Sequence, residues 1–120
     1  MKFSLFMKLY NEALEVDLDH YIADRGWEDW MDKYVADKNA AFVDTTKIAA
    51  ILNRIYDLAH MGIKELREDM GITVKAFSQL FEIPYRTIQG WEYENHRTPE
   101  YTLHLIAYAL FMGDIDDEQN

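Results

Sequence analysis

The chain has 120 residues, 49% of them hydrophobic and 14% aromatic, enough for one domain or one small domain with an appendage. Lys and Arg number 12 against 22 Asp and Glu, and the net charge of -10 argues against coating nucleic acid or an anionic membrane by bulk charge. The absence of cysteine excludes a disulfide framework, zinc-finger cysteines, thiol catalysis and Cys-ligated iron–sulfur clusters.

No apolar run approaches the roughly 20 residues that span a bilayer. The start, Met1 to Tyr10, is short, holds Lys8 and lacks a small-residue cleavage site. It reads as a helix and not a signal peptide, in a cytoplasmic protein with no membrane partner. Two prolines and five glycines are sparse punctuation, and no alternating apolar/polar run argues for a sheet. The predicted fold class is all-α.

Phe3, Phe6, Met7, Tyr10 and Leu14 recur at helical spacing and predict a helix over roughly 3–16. Asp17 and Asp19 can cap a short second helix that stops at Arg25-Gly26. Trp27, Trp30, Met31 and Tyr34 mark a third, followed by a loop over 37–41. Asp44, Thr45 and Thr46 offer caps for a longer helix to about 60, with Ile48, Ile51, Leu52, Ile55, Leu58 and Ala59 as its stripe. Further on, helices shorten: Ile63 to Met70 stopped by Gly71, Val74 to about Leu80 capped by Thr73, and Tyr85 to about Tyr93 opened by Pro84. A last helix starts at Thr98-Pro99 and is expected to stop at Gly113, leaving an acidic, disordered tail over 113–120. The expected organisation is an N-terminal helical segment (1–43), a DNA-binding unit (44–112) and that tail. Net charges are -4 over residues 1–60, -2 over 61–112 and -4 over the tail.

The informative stretch runs from Gly71 to Glu92. Ala76 is small enough for a following helix to cross closely. Phe77 and Leu80 are expected to bury the first helix of a pair, Ile83 to plug the turn, and Ile88 and Trp91 to anchor the second helix. That leaves Tyr85, Arg86 and Gln89 on an outer face, where the first turns of a recognition helix read base edges. Arg suits guanine and Gln suits adenine by bidentate hydrogen bonds.

Residues 63–111 resemble the Cro/phage-repressor-type helix-turn-helix family, also called the XRE family. The resemblance is carried by Thr73, Ala76-Phe77, Ile83, Ile88, Trp91-Glu92 and Pro99. The segment from Ile83 to Glu92 is similar to the branch found in small regulators of plasmids, phages and conjugative elements of Gram-positive bacteria. The resemblance implies a lambda-repressor-like bundle and a homodimer that reads double-stranded operator DNA. Tyr85, Arg86 and Gln89 would contact bases, and Thr73, Lys75, Thr87, Arg97 and Thr98 would contact phosphates. Glu92 is expected in a hydrogen bond or salt bridge within the unit.

Two other readings stand beside the repressor. The chain is an antitoxin whose residues 1–60 cover a toxin, with Trp27, Trp30 and Tyr34 as interface anchors. Alternatively it is an acidic accessory or inhibitor protein that no longer binds DNA, motivated by the acidic balance and by Val74 where the family usually has Gln. The four histidines (His20, His60, His96, His104) show no helical pairing for a metal. No phosphate-cradling glycine loop or nucleophile motif occurs, so no cofactor, metal or enzymatic activity is expected.

Overall fold

The computed structural model describes residues 1–25, 45–94 and 96–119. All regular structure among the described residues is helical, in seven helices. They fall into two compact units, Met1–His60 and Met61–Asn120. Among the described residues no helix is long and apolar enough to cross a membrane. The predicted third helix, with Trp27, Trp30 and Tyr34, and the loop after it lie outside the described residues.

The first unit contains α1 (Phe3–Ala13), α2 (Leu18–Arg25) and α3 (Thr45–Ala59). Phe6, Leu9, Tyr10 and Ala13 form the buried face of α1, at the three- and four-residue spacings of one helix side. The helix ends three residues short of expectation. Leu14 and Val16 are exposed, so burial rewards no further turn. Asp17 opens α2 by accepting the His20 N–H at 2.9 Å. Tyr21 is fully buried, and its hydroxyl donates to the Leu9 carbonyl at 2.8 Å, which satisfies its polar end inside the core. The stripe Ile48, Ile51, Leu52, Ile55, Leu58 and Ala59 buries α3 against α1 and α2. Each such aliphatic side chain contributes about 1.5–3 kcal/mol of burial.

This packing corrects the expected domain boundary. Helix α3 belongs with α1 and α2, and not with the DNA-binding unit over 44–112. An amphipathic stripe demands a cover, and the faces of α1 and α2 supply it.

The second unit contains α4 (Ile63–Met70), α5 (Val74–Phe81), α6 (Tyr85–Tyr93) and α7 (Glu100–Gln119). Its core is Ile63, Leu66, Phe77, Ile88, Ile106, Ala107 and Phe111. Helix α4 starts where the Glu65 carboxylate accepts the Gly62 N–H at 3.2 Å. It stops at Gly71, whose φ of 71° is the left-handed turn that glycine adopts without a Cβ clash. Pro99 precedes α7, and its carbonyl accepts from Thr102 and Leu103. Gly113 does not stop α7. Its backbone avoids the left-handed region that Gly71 uses, and the helix continues to Gln119 where an irregular tail was expected. A glycine inside a helix costs about 1 kcal/mol relative to alanine, which weakens the helix without ending it.

Candidate nucleic-acid interface

The pair α5–α6 is built from local signals. Thr73 has an extended backbone, and its hydroxyl oxygen accepts the Ala76 N–H at 3.1 Å. This is the usual way a threonine closes a helix start. At the other end of α5, Glu82 takes a left-handed φ of 54°. Ser78 locks the turn from both sides: its carbonyl accepts the Ile83 N–H at 3.1 Å, and its hydroxyl donates to the Ile83 carbonyl at 2.6 Å. The Pro84 carbonyl then accepts from Thr87 and Ile88, which starts α6.

Inside the pair, Phe77 and Ile88 are fully buried. Trp91 is half-buried, less enclosed than a core anchor. The expectation for Leu80 fails: it is 59% exposed. Phe81, one turn after Phe77, takes the inward direction, and the two rings sit 4.9 Å apart. Spacings of three and four residues both reach the same helix face, and here four wins.

The predicted base readers lie together on the outside of α6. Tyr85 is 46% exposed, Arg86 and Thr87 are exposed, and Gln89 is half-buried. At 3.6 residues per turn, Tyr85, Gln89, Tyr93 and Arg86 share an arc of about 100°. Thr73 and Lys75 are exposed at the start of α5. Arg97 and Thr98 fall elsewhere: with Lys64, Trp91 and His96 they line a groove of about 470 Å³ near the C-terminal end of α6. That end is about 12 Å along the helix axis from Tyr85. The Arg97 guanidinium donates to Glu100 at 3.0 Å. The pair is exposed and so worth little, which leaves Arg97 available to a competing phosphate.

The expected Glu92 bond is present, and its partner was not legible. Arg67 on α4 donates from Nε and Nη2 to the two Glu92 oxygens, each at 2.9 Å. Its Nη1 donates to the Ile72 carbonyl at 2.9 Å. The Glu92 side chain is 0% exposed and that of Arg67 13%. Glu92 pushes the Arg67 pKa up, chiefly by hydrogen bonding, so the pair stays ionised. One fork therefore ties α4, the α4–α5 turn and α6 into a fixed frame beneath the outer face. No local pattern links residues 67 and 92, so only the fold reveals the contact.

Two further contacts shape the end of α6. The Lys64 ammonium lies 5.7 Å from the centre of the Tyr93 ring, within cation–π range. The His96 N–H donates to the Gly90 carbonyl at 3.0 Å, and its ring lies so close that a Cβ on residue 90 would approach Nδ1 to 2.7 Å. Among the described residues no three His, Asp or Glu side chains are grouped to hold a metal ion.

Compared with known proteins, the chain matches no family model, no curated protein and no solved structure. The functional reading therefore rests on the residues and their geometry.

Proposed function

We propose that the chain is a sequence-specific DNA-binding transcriptional regulator, a dimeric repressor that reads the major groove with α6. The observation that carries this is the outer face of α6. Tyr85, Arg86 and Gln89 share one arc on a short helix held from beneath by Ile88 and by the Arg67–Glu92 fork. In this reading two copies place their α6 helices in successive major grooves about 34 Å apart. Arg86 reads guanine and Gln89 adenine. Thr73, Lys75 and Thr87 hold phosphates near the start of α6, and Arg97 and Thr98 hold them near its end.

The charge pattern gives this reading a quantitative signature. Among the described residues of the second unit, Lys75 and Arg86 are the cations without an ion-pair or ring partner. Two such cations per copy give a dimer a salt slope near -3.6, or an affinity loss of about 100-fold between 50 and 200 mM salt. The test is fluorescence anisotropy against DNA from the chain's own upstream region, with a scrambled duplex alongside. A preference of roughly 1000-fold or more, lost in Arg86→Ala/Gln89→Ala, is the expected result. Unchanged affinity in that variant would sink the assignment of the reader. No binding even at about 50 mM salt would favour the accessory or inhibitor role.

A second reading, an antitoxin, draws support from the first unit. Residues 1–60 have a core of their own, so they can serve a partner independently of DNA. Co-purification of a neighbouring gene product, lost on disrupting that core with Leu52→Asp, would favour it.

A further inference from the structure

Helix α7 is apolar on more than its inward side. Ile106, Ala107 and Phe111 are buried. A second row, spaced by four residues, stays exposed: Tyr101 at 69%, Leu105 at 54%, then Ala109 and Gly113. A helix with apolar residues around its circumference is normally covered on both sides. The order of sizes along the exposed row is directional, with two large residues followed by two small ones. The small end opens into a groove of about 490 Å³, lined by Ala109 and Gly113 together with Met70, Leu80, Phe81 and Leu110. The carboxylates of Asp69 and Asp114 also line it.

We propose that the occupant of this face is a second copy of the chain, with two α7 helices packed antiparallel about a two-fold axis. Reversing the row onto itself places Tyr101 opposite Gly113 and Leu105 opposite Ala109. Large meets small at every level, and each copy's knobs enter the other's groove. No other register of the row on itself achieves this. A Cβ at Gly113 would meet nothing within 4 Å, so that end of the row is open to a ring from outside. Tyr101 brings an apolar ring and one hydroxyl donor to a groove with apolar walls and carboxylates beside Gly113. Aligning two such four-residue ridges gives a crossing angle near 50°, the commonest helix packing class. A two-fold axis makes the contact isologous and closed, so assembly ends at two copies.

The face is small. Tyr101, Leu105 and Leu80 expose roughly 300 Å² of apolar surface per copy, which puts the dimer at the weak end of specific interfaces. A dimer that dissociates in the micromolar range is therefore expected. The inference deepens the dimer of the proposed function, but its test uses free protein without DNA, so either can fail alone.

The native chain has no cysteine, which makes single thiols clean reporters. In the proposed register Tyr101→Cys faces Gly113→Cys across the axis, while each lies about 18 Å along the axis from its own counterpart. A disulfide requires Cα atoms within about 7 Å. Mixing the two variants under mild oxidation is expected to give crosslinked dimer at least about 10-fold faster than either alone. In sedimentation, wild type is expected to move from monomer to dimer mass between about 10 and 300 µM, and Leu105→Glu to remain monomeric with unchanged circular dichroism. Equal crosslinking of the mixture and the single variants would overturn the register. A monomer throughout that range would overturn the second copy as occupant and leave the face to another partner.

Discussion

Replacing Arg67 by methionine tests the frame beneath α6. The substitution keeps the aliphatic stem and removes three donated hydrogen bonds, two to Glu92 and one to the Ile72 carbonyl. It strands a carboxylate that is 0% exposed. Removing one partner of a buried ion pair costs about 3–5 kcal/mol. A unit of this length has a total stability on the order of 3–9 kcal/mol, so Arg67→Met should consume half of it or more. Glu92→Met should cost less, because the Arg67 head can swing along its stem toward water. The double variant should recover most of the loss, within about 1.5 kcal/mol of wild type, since two methionines fill similar volume without a stranded charge. Urea unfolding followed by far-ultraviolet circular dichroism measures all three. The Arg67→Met deficit should also shrink from pH 8 to pH 5, where the stranded acid takes up a proton. A single-variant cost below about 1 kcal/mol, or a double variant worse than both singles, would refute the reasoning.

Other outcomes follow from the same geometry. Glu82→Gly should raise stability by about 0.5 kcal/mol, because glycine removes the left-handed strain at φ 54° and gives part of that back as unfolded-chain entropy; Glu82→Val should lower it by about 1 kcal/mol, both read by thermal unfolding. Phe77→Ala should cost about 3–5 kcal/mol and Leu80→Ala under 0.5, and comparable losses at the two positions would contradict their opposite burial. His20 should titrate above its ordinary 6.5, held up by its hydrogen bond and charge attraction to Asp17, whose own pKa is lowered by the same contacts. The sign follows: the pair supports the start of α2 above the usual carboxylate pKa of 3.8, loses that support as pH falls through the lowered Asp17 value, and loses it again as pH rises through the raised His20 value. A proton NMR titration of the His20 ring, repeated in Asp17→Asn, checks this, and an unmoved midpoint in the variant would rule the contact out as the cause.

The sequence was most legible where backbone chemistry punctuates it. Gly71, Thr73 and Pro84 bound α4, α5 and α6 almost to the residue, since a left-handed turn, a hydroxyl cap and a fixed φ each admit few alternatives. Gly113 misled, because glycine signals a stop only where the backbone turns left-handed. The membership of α3 was hidden for a different reason. Its stripe states that a face is covered but not by what, and the cover comes from residues far off in sequence. At the candidate interface, the outward placement of Tyr85 and Arg86 was readable from period alone. The Arg97–Glu100 pair was readable too, as opposite charges three residues apart. The Arg67–Glu92 fork and the separation of Arg97 from the start of α6 needed the folded chain.

Gly90 and His96 have a consequence for how this chain can change over generations. The imidazole occupies the space that any side chain at position 90 would need, so alanine cannot enter there until the ring has moved. Alanine would otherwise gain about 1 kcal/mol of helix propensity. The order of substitution then matters. A lineage that first loses the imidazole opens position 90 to that gain, and one that acquires alanine first must displace the ring. Once alanine is in place, the return of histidine at 96 meets the same obstacle from the other side. Two neighbouring positions thus form a one-way gate, and the residue at 96 records which side of it a sequence occupies.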